Sequence, residues 1–384
     1  MSAVTTKVPP TIEAATGDQP AARLGLTAAV AAPAHAYLFA GPPGSGKRNA
    51  ARALAAELLA EGAPDPAEAR RRALAEPSPH PDLVWVRPPG TQHLVEEIRD
   101  RMINAAAYRP FEGERRVFVV EAAEAMAEES QNALLKTLEE PAAFAIMILI
   151  SAEPEALLET VRSRCQLVRF TRVAPEVLEA RLRARDPEAG EEQLRAAARL
   201  AGGDTERAAL LLDETGIELR GAAIGCVRAA RCGELAGAPW ARLLEGASAA
   251  GERAAAEARD AVVALAADAG EEGSASARRR IREGEELARR AGRRARTEVL
   301  DLALALIAGW LRDLAAIAEG ASELVLNADR LDELEADAAG LSPTSARRAA
   351  ELAMETRRRL RVNVSEELAL EALTFRLERL LAGA

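Results

Sequence analysis

A chain of 384 residues exceeds one ordinary domain and suits two or three. Hydrophobic residues at 49% allow a sizeable core, abundant Ala, Leu, Arg and Glu with aromatics at only 3% favour a helix-rich fold, and a net charge of −10 argues against a chain that coats DNA by itself. No apolar run approaches the ~18–20 residues of a membrane span. The opening residues carry neither the charge pattern nor the apolar segment of a signal peptide. Cys165, Cys226 and Cys232 are few, odd in number and not spaced for zinc. A cytoplasmic chain without membrane contact is therefore expected.

Residues 1–20 are polar and contain Thr and Pro, and they read as loosely ordered until a helix begins near Gln19. Ala36–Ala40 reads as a short buried strand and Arg48–Leu59 as a helix. Residues 62–81, with five prolines, read as a connecting excursion. Leu83–Val86 is a second strand, followed by a helix over Leu94–Ala107. Val117–Val120 is a third strand, followed by a helix over Met126–Leu138 that ends at Pro141. Ile146–Ile150 is a fourth, then a helix over Pro154–Val161 and a last strand, Gln166–Phe170. Apolar runs of four or five residues separated by helices imply a parallel sheet covered on both faces.

Beyond about residue 172 the strands stop. Three short helical stretches follow, near 174–185, 190–201 and 204–213, and from about 218 the pattern is helical to the end. The interruption Glu271–Thr297 holds nine arginines. It reads as a solvated, Arg-rich helix or a loop insertion, and a phosphate-contacting surface is the alternative.

Gly41-Pro42-Pro43-Gly44-Ser45-Gly46-Lys47 follows a strand and opens a helix, which is the context of a Walker A loop. Glycines there let backbone N–H groups wrap phosphates, and the lysine reaches their outer oxygens. Arg48, however, stands where Ser or Thr would hold magnesium. A guanidinium cannot be a metal ligand and repels the ion. The third strand ends in Glu121-Ala122 instead of an acidic pair. Glu121 could still reach a metal, although plain surface acid is an equal reading for it and for Glu124. Ala122 cannot act on water. Hydrolysis at this site is not expected, while ATP or ADP binding without hydrolysis stays open. No metal is assigned.

The run Asn132-Ala133-Leu134-Leu135-Lys136-Thr137-Leu138-Glu139-Glu140-Pro141 and the triplet Ser163-Arg164-Cys165 add to Walker A. Together they resemble the clamp-loader branch of the AAA+ ATPases, and within it the delta-prime type of DNA polymerase III subunit. His80-Pro81-Asp82, Asn363-Val364-Ser365 and Leu368–Glu371 are similar to that type as well. The resemblance is firm over about residues 17–172, reasonable over the small helical domain and weak over the last 160 or so.

The resemblance implies an AAA+ core of parallel sheet and helices over 1–172, a small helical lid over 173–217 and an all-helical collar over 218–384. It implies a subunit of a polymerase holoenzyme that is itself neither polymerase nor ATPase. Its partners would be gamma/tau and delta, with the sliding clamp and primer–template DNA reached through the complex. Arg164 would act in trans as an arginine finger on the adjoining gamma or tau subunit, its planar fork suited to phosphate. A surface salt bridge is the plainer reading of that residue. The degenerate nucleotide site would comprise Gly41, Gly44, Ser45, Gly46, Lys47, Arg48, Glu121 and Ser151, the last in place of a sensor threonine.

Glu206 falls where the motor subunits carry a phosphate-sensing arginine, with Arg207 one residue later as a candidate substitute. Many relatives insert a four-cysteine zinc module that residues 60–82 lack, so no zinc is expected. An active AAA+ ATPase, such as a helicase or its loader, is the alternative function, and a small-molecule P-loop kinase is a third. Arg48 and Ala122 count against the first of these, and the long helical C-terminal region counts against the kinase.

Overall fold

The computed structural model describes residues 11–75, 78–88, 92–268, 275–360 and 365–382, with the backbone alone over 261–268, 275–283 and at 287. The five apolar runs form one parallel sheet of β1 (Ala36–Ala40), β2 (Leu83–Val86), β3 (Arg116–Val120), β4 (Ala145–Ser151) and β5 (Gln166–Arg169). Its order is β2-β3-β4-β1-β5, every pairing parallel.

β1, β3 and β4 are buried at every position, which is why they read as continuous apolar runs. Alternation divides their side chains between two cores. Tyr37, Phe39, Val119 and Ile148 pack with Ile12, Leu26, Leu54 and Leu58 from α1 (Ile12–Ala15), α2 (Pro20–Ala31) and α3 (Lys47–Ala60). Leu38, Phe118, Met147 and Leu149 pack on the opposite face with Ile98, Met102, Leu134 and Leu138. This is the α/β architecture with parallel sheet that the sequence predicts. Because β3, β4 and β1 are neighbours, their C-terminal ends bring Glu121, Ser151 and the 41–46 turn together at one sheet edge, where ligands meet open α/β sheets.

Four local expectations are corrected. The excursion 62–81 contains a helix, α4 (Pro66–Leu74), whose N-cap Asp65 accepts hydrogen bonds from the N–H groups of Ala67 and Glu68 at 3.1 Å; Glu76 and Pro77 lie outside the described residues. Proline at the first helical position after aspartate starts a helix rather than breaking one. Helix α1, capped by the Thr11 hydroxyl, orders residues expected to be loose, and residues 1–10 lie outside the described residues.

The segment after β2 is α5 (Val95–Ile98) continued by a π-helical stretch, Arg99–Asn104, and a 3-10 turn, Ala105–Ala107. The helix expected over 154–161 is a 3-10 turn, Pro154–Ala156, then extended Leu157 and Leu158, then α7 (Glu159–Arg162). Leu157 is buried there in the second core, and that burial outweighs helix propensity. The long motif helix is α6 (Glu128–Glu139).

The chain forms two compact units. The first includes residues up to Pro88, Gln92–Ala174 and Gly203–Thr205; the second includes Pro175–Gly202 and Glu206 onward. The second unit is helical, with α8 (Pro175–Arg185), α9 (Glu191–Leu200), most of α10 (Thr205–Leu210), α11 (Glu214–Cys232), α12 (Ala241–Asp268), α13 (Ala275–Ala318), α14 (Leu331–Ala338), α15 (Pro343–Leu360) and α16 (Glu366–Leu381). The 44-residue α13 is its spine, packed against α11, α12, α14 and α15.

The described part of the Arg-rich stretch belongs to that helix, and 269–274 lie outside the described residues. Among its described side chains, Arg290 pairs with Glu286 at 3.0 Å and Arg294 with Glu298 at 2.8 Å, each one helical turn apart. Asn363 and Val364 lie outside the described residues, while Ser365 is the N-cap of α16. Among the described residues, no helix is long and apolar enough to cross a membrane.

Candidate functional site

The turn after β1 enters α3 through Gly44 (φ 68°) and Gly46 (φ 88°), left-handed conformations that a Cβ disfavours. Gly44 is doubly required, because a methyl group there would lie 2.1 Å from Asp204 Cγ. Lys47 is turned into its own loop. Its Nζ donates to the carbonyls of Gly41 and Pro42, both at 2.6 Å, and to Ser45 Oγ at 3.4 Å. Ser45 in turn donates to Pro42 O at 2.8 Å. Burial lowers the Lys47 pKa to about 8, against the opposing charges of Glu124 and Asp204. The lysine, the loop and Asp204 thus form one polar cluster at the mouth of the sheet.

The metal position is occupied by an internal ion pair. Arg48 Nε lies 3.1 Å from Glu121 Oε1, and the same oxygen accepts from Trp85 Nε1 at 2.6 Å and Arg87 Nε at 2.9 Å. Trp85 is held from its other side by Arg52, whose guanidinium carbon stands 4.3 Å from the ring centroid. Glu121 is only 6% exposed, so the surface-acid reading of this residue is corrected. Its charged partners, Arg48 and Arg87, come from two separate segments. Displacing them would expose buried charge, which makes Glu121 a poor metal ligand as arranged. Among the described residues, no group of three or more His, Cys, Asp or Glu could hold a metal ion.

Ala122 follows in a left-handed conformation, φ 48°, and His93 holds the turn: its Nε2 lies 2.7 Å from Glu121 O. Burial holds the His93 pKa below its usual value, so the ring is neutral at pH 7. Glu124 is likewise not plain surface acid, since its Oε1 accepts from Ala152 N–H at 3.1 Å. Ser151 ends β4 fully buried, and its hydroxyl accepts from Glu153 N–H at 3.2 Å, a local turn bond. The sheet therefore brings together Gly41, Gly44, Ser45, Gly46, Lys47, Arg48, Glu121 and Ser151. Trp85, Arg87 and His93 join them with no motif to announce them, and Asp204 joins from the Gly203–Arg207 run that stands in the place of the motor subunits' sensor motif.

Arg207 is engaged in the second unit. Its Nη2 donates to Asp301 Oδ2 at 2.6 Å, and Arg357 holds both oxygens of that carboxylate. Burial would raise the Asp301 pKa, but the two arginines hold it below the usual carboxylate value. Glu206 is exposed on the same helix.

Arg164 lies on the short link from α7 to β5. Nη1 donates to Thr160 O at 2.9 Å, and Nη2 donates to Glu139 Oε1 at 2.6 Å. Its neighbour Cys165 packs against the second core, and burial pushes that thiol up to about 12, which makes it an anchor rather than a nucleophile. Gln131 ties α6 to this segment by accepting from Leu158 N–H at 2.8 Å. The triplet thus presents a guanidinium outward from a fixed base.

The family described as DNA polymerase III, delta subunit, matches residues 20–174. The chain is 35% identical over 150 residues to DNA polymerase III subunit delta-prime of Bacillus subtilis, covering 38% of this chain and 45% of that protein. It is 39% identical over 137 residues to the delta-prime subunit of Pseudomonas aeruginosa, covering 34% and 42%. To the gamma/tau subunit of Mycobacterium bovis it is 36% identical over 163 residues, covering 38% and 26%. The matched region spans less than half the length of each of these relatives.

Proposed function

We propose, from the match of residues 20–174 to the DNA polymerase III delta-subunit family and the likeness to delta-prime subunits, that the whole chain serves as a non-hydrolysing, delta-prime-type subunit of a bacterial clamp loader. In that role it assembles with gamma/tau and delta subunits, which together place the sliding clamp on primer–template DNA. Arg164 acts on the nucleotide of the adjoining gamma or tau subunit. The observation that carries the non-hydrolysing part is the Arg48–Glu121 contact at 3.1 Å. A cation already satisfies the carboxylate that a motor would use for magnesium, and Ala122 supplies no group to polarise water. The alternative, an active AAA+ ATPase, has the phosphate loop in its favour and both of these positions against it.

The lid over 173–217 and the collar over 218–384 belong to the same proposal. The collar leaves Leu324, Met354, Leu368 and Phe375 exposed, apolar surface that suits packing beside equivalent domains of the partners. Deleting 218–384 should leave a soluble core that no longer co-purifies with gamma/tau and delta. Retained assembly of that truncated chain would refute the collar's role.

A further inference from the structure

We infer that Glu139 is a positioning residue for Arg164, holding the guanidinium where it meets a neighbour's phosphate; the inference rests on the trans-acting role proposed above. Glu139 is the last residue of α6, where the helix dipole disfavours a carboxylate. Its charge is offset there by Arg164, from a segment 25 residues away, at 2.6 Å. Thr160 O holds the other terminal nitrogen at 2.9 Å. Two fixed points on a planar group set its plane, which one alone would leave free to swing. Among the described residues these two bonds use two of the five guanidinium N–H groups, so three remain to meet a phosphate.

The base of the arrangement is rigid. The Ser163 hydroxyl bonds the same Thr160 carbonyl at 3.2 Å, and Cys165 is packed against the core. A guanidinium ordered before the encounter loses less rotamer freedom on capturing phosphate than a free one does. The pair is surface-exposed, with the Arg164 side chain at 34% and that of Glu139 at 50%, so it contributes little to stability. Its value lies in orientation.

The test is steady-state ATP hydrolysis, measured over a range of ATP concentrations in the complete reconstituted loader, with co-elution of all subunits as the control. Glu139→Ala should lower kcat at the adjoining site on the order of 10- to 100-fold with the KM for ATP unchanged, the signature of an interaction made in the transition state. Glu139→Gln keeps an acceptor oxygen and should restore most of the loss. Glu139→Asp falls short by one methylene and should rank between them. In an Arg164→Ala background, Glu139→Ala should cost nothing further, because the two residues act as one unit. If Arg164→Ala impairs turnover and Glu139→Ala leaves it unchanged or raises it, the positioning role is overturned and the finger stands. An additive loss in the double variant overturns it equally. If Arg164→Ala itself is without effect in an intact complex, both the finger and the positioning role fall.

Discussion

Arg164→Ala should leave this chain folded and reduce hydrolysis at the adjoining motor site by about 10³-fold or more, the scale of arginine-finger losses. The side chain is one-third exposed and its partner Glu139 is half exposed, so the ion pair is worth little to the fold. Surface changes of this kind usually stay within ~0.5 kcal/mol. The thiol of Cys165 next to it, which anchors the segment, is untouched by the substitution. Arg164→Lys should rescue poorly, since a point charge lacks the planar fork that reaches both Glu139 and a phosphate. Melting temperature and subunit co-elution, read beside single-turnover hydrolysis and clamp loading, separate a lost finger from a lost fold. Unchanged hydrolysis and loading by the alanine variant in an intact complex would return Arg164 to the role of a structural salt bridge.

The second large effect falls on stability, at Asp82. Its carboxylate is fully buried and accepts from the N–H groups of Phe111, at 2.9 and 3.1 Å, and Glu112, at 2.8 Å. Arg116 Nε stands 3.4 Å from the same carboxylate, an ion pair rather than a well-formed hydrogen bond, with the arginine side chain only 7% exposed. Asp82→Ala strands two backbone donors and a buried cation at the start of β2 and β3. Breaking a buried pair in this way costs about 3–5 kcal/mol. Asp82→Asn keeps one acceptor and should cost less. Urea unfolding gives the loss, and hydrogen exchange along β3 shows whether it is localised there. A loss below ~1 kcal/mol, the scale of a surface pair, would contradict this role.

Asp82 also illustrates what the sequence made legible. His80-Pro81-Asp82 stands out as a motif, yet nothing in it points to the N–H groups of Phe111 and Glu112, about thirty residues on. The strands were readable because burial on both faces demands unbroken apolar runs, as in Val117–Val120 and Ile146–Ile150. Helix α4 was hidden because the five prolines of 62–81 made the segment read as a connection, although Asp65-Pro66 is a helix start.

At the site, the loss of the magnesium hydroxyl was visible as Arg48, but its consequence was not. Only the fold brings Trp85 and Arg87 onto the same Glu121 oxygen, and Asp204 against Gly44. Likewise Ser163-Arg164-Cys165 was legible as a triplet, whereas the grip of Glu139 on Arg164 depends on α6 ending beside α7. Local propensity writes the elements, and long-range polar contacts escape it because they carry no period.

The proposal that this chain serves a neighbour's nucleotide without hydrolysing its own is tested most directly by ATP turnover. The isolated chain should be assayed at high magnesium, and then together with gamma/tau and delta subunits. With Arg48 paired to Glu121 at 3.1 Å and alanine at position 122, the isolated chain should show no hydrolysis above background. Turnover should appear only with the motor subunits and should depend on Arg164. Hydrolysis by the wild-type chain alone, at rates typical of AAA+ motors, would contradict it.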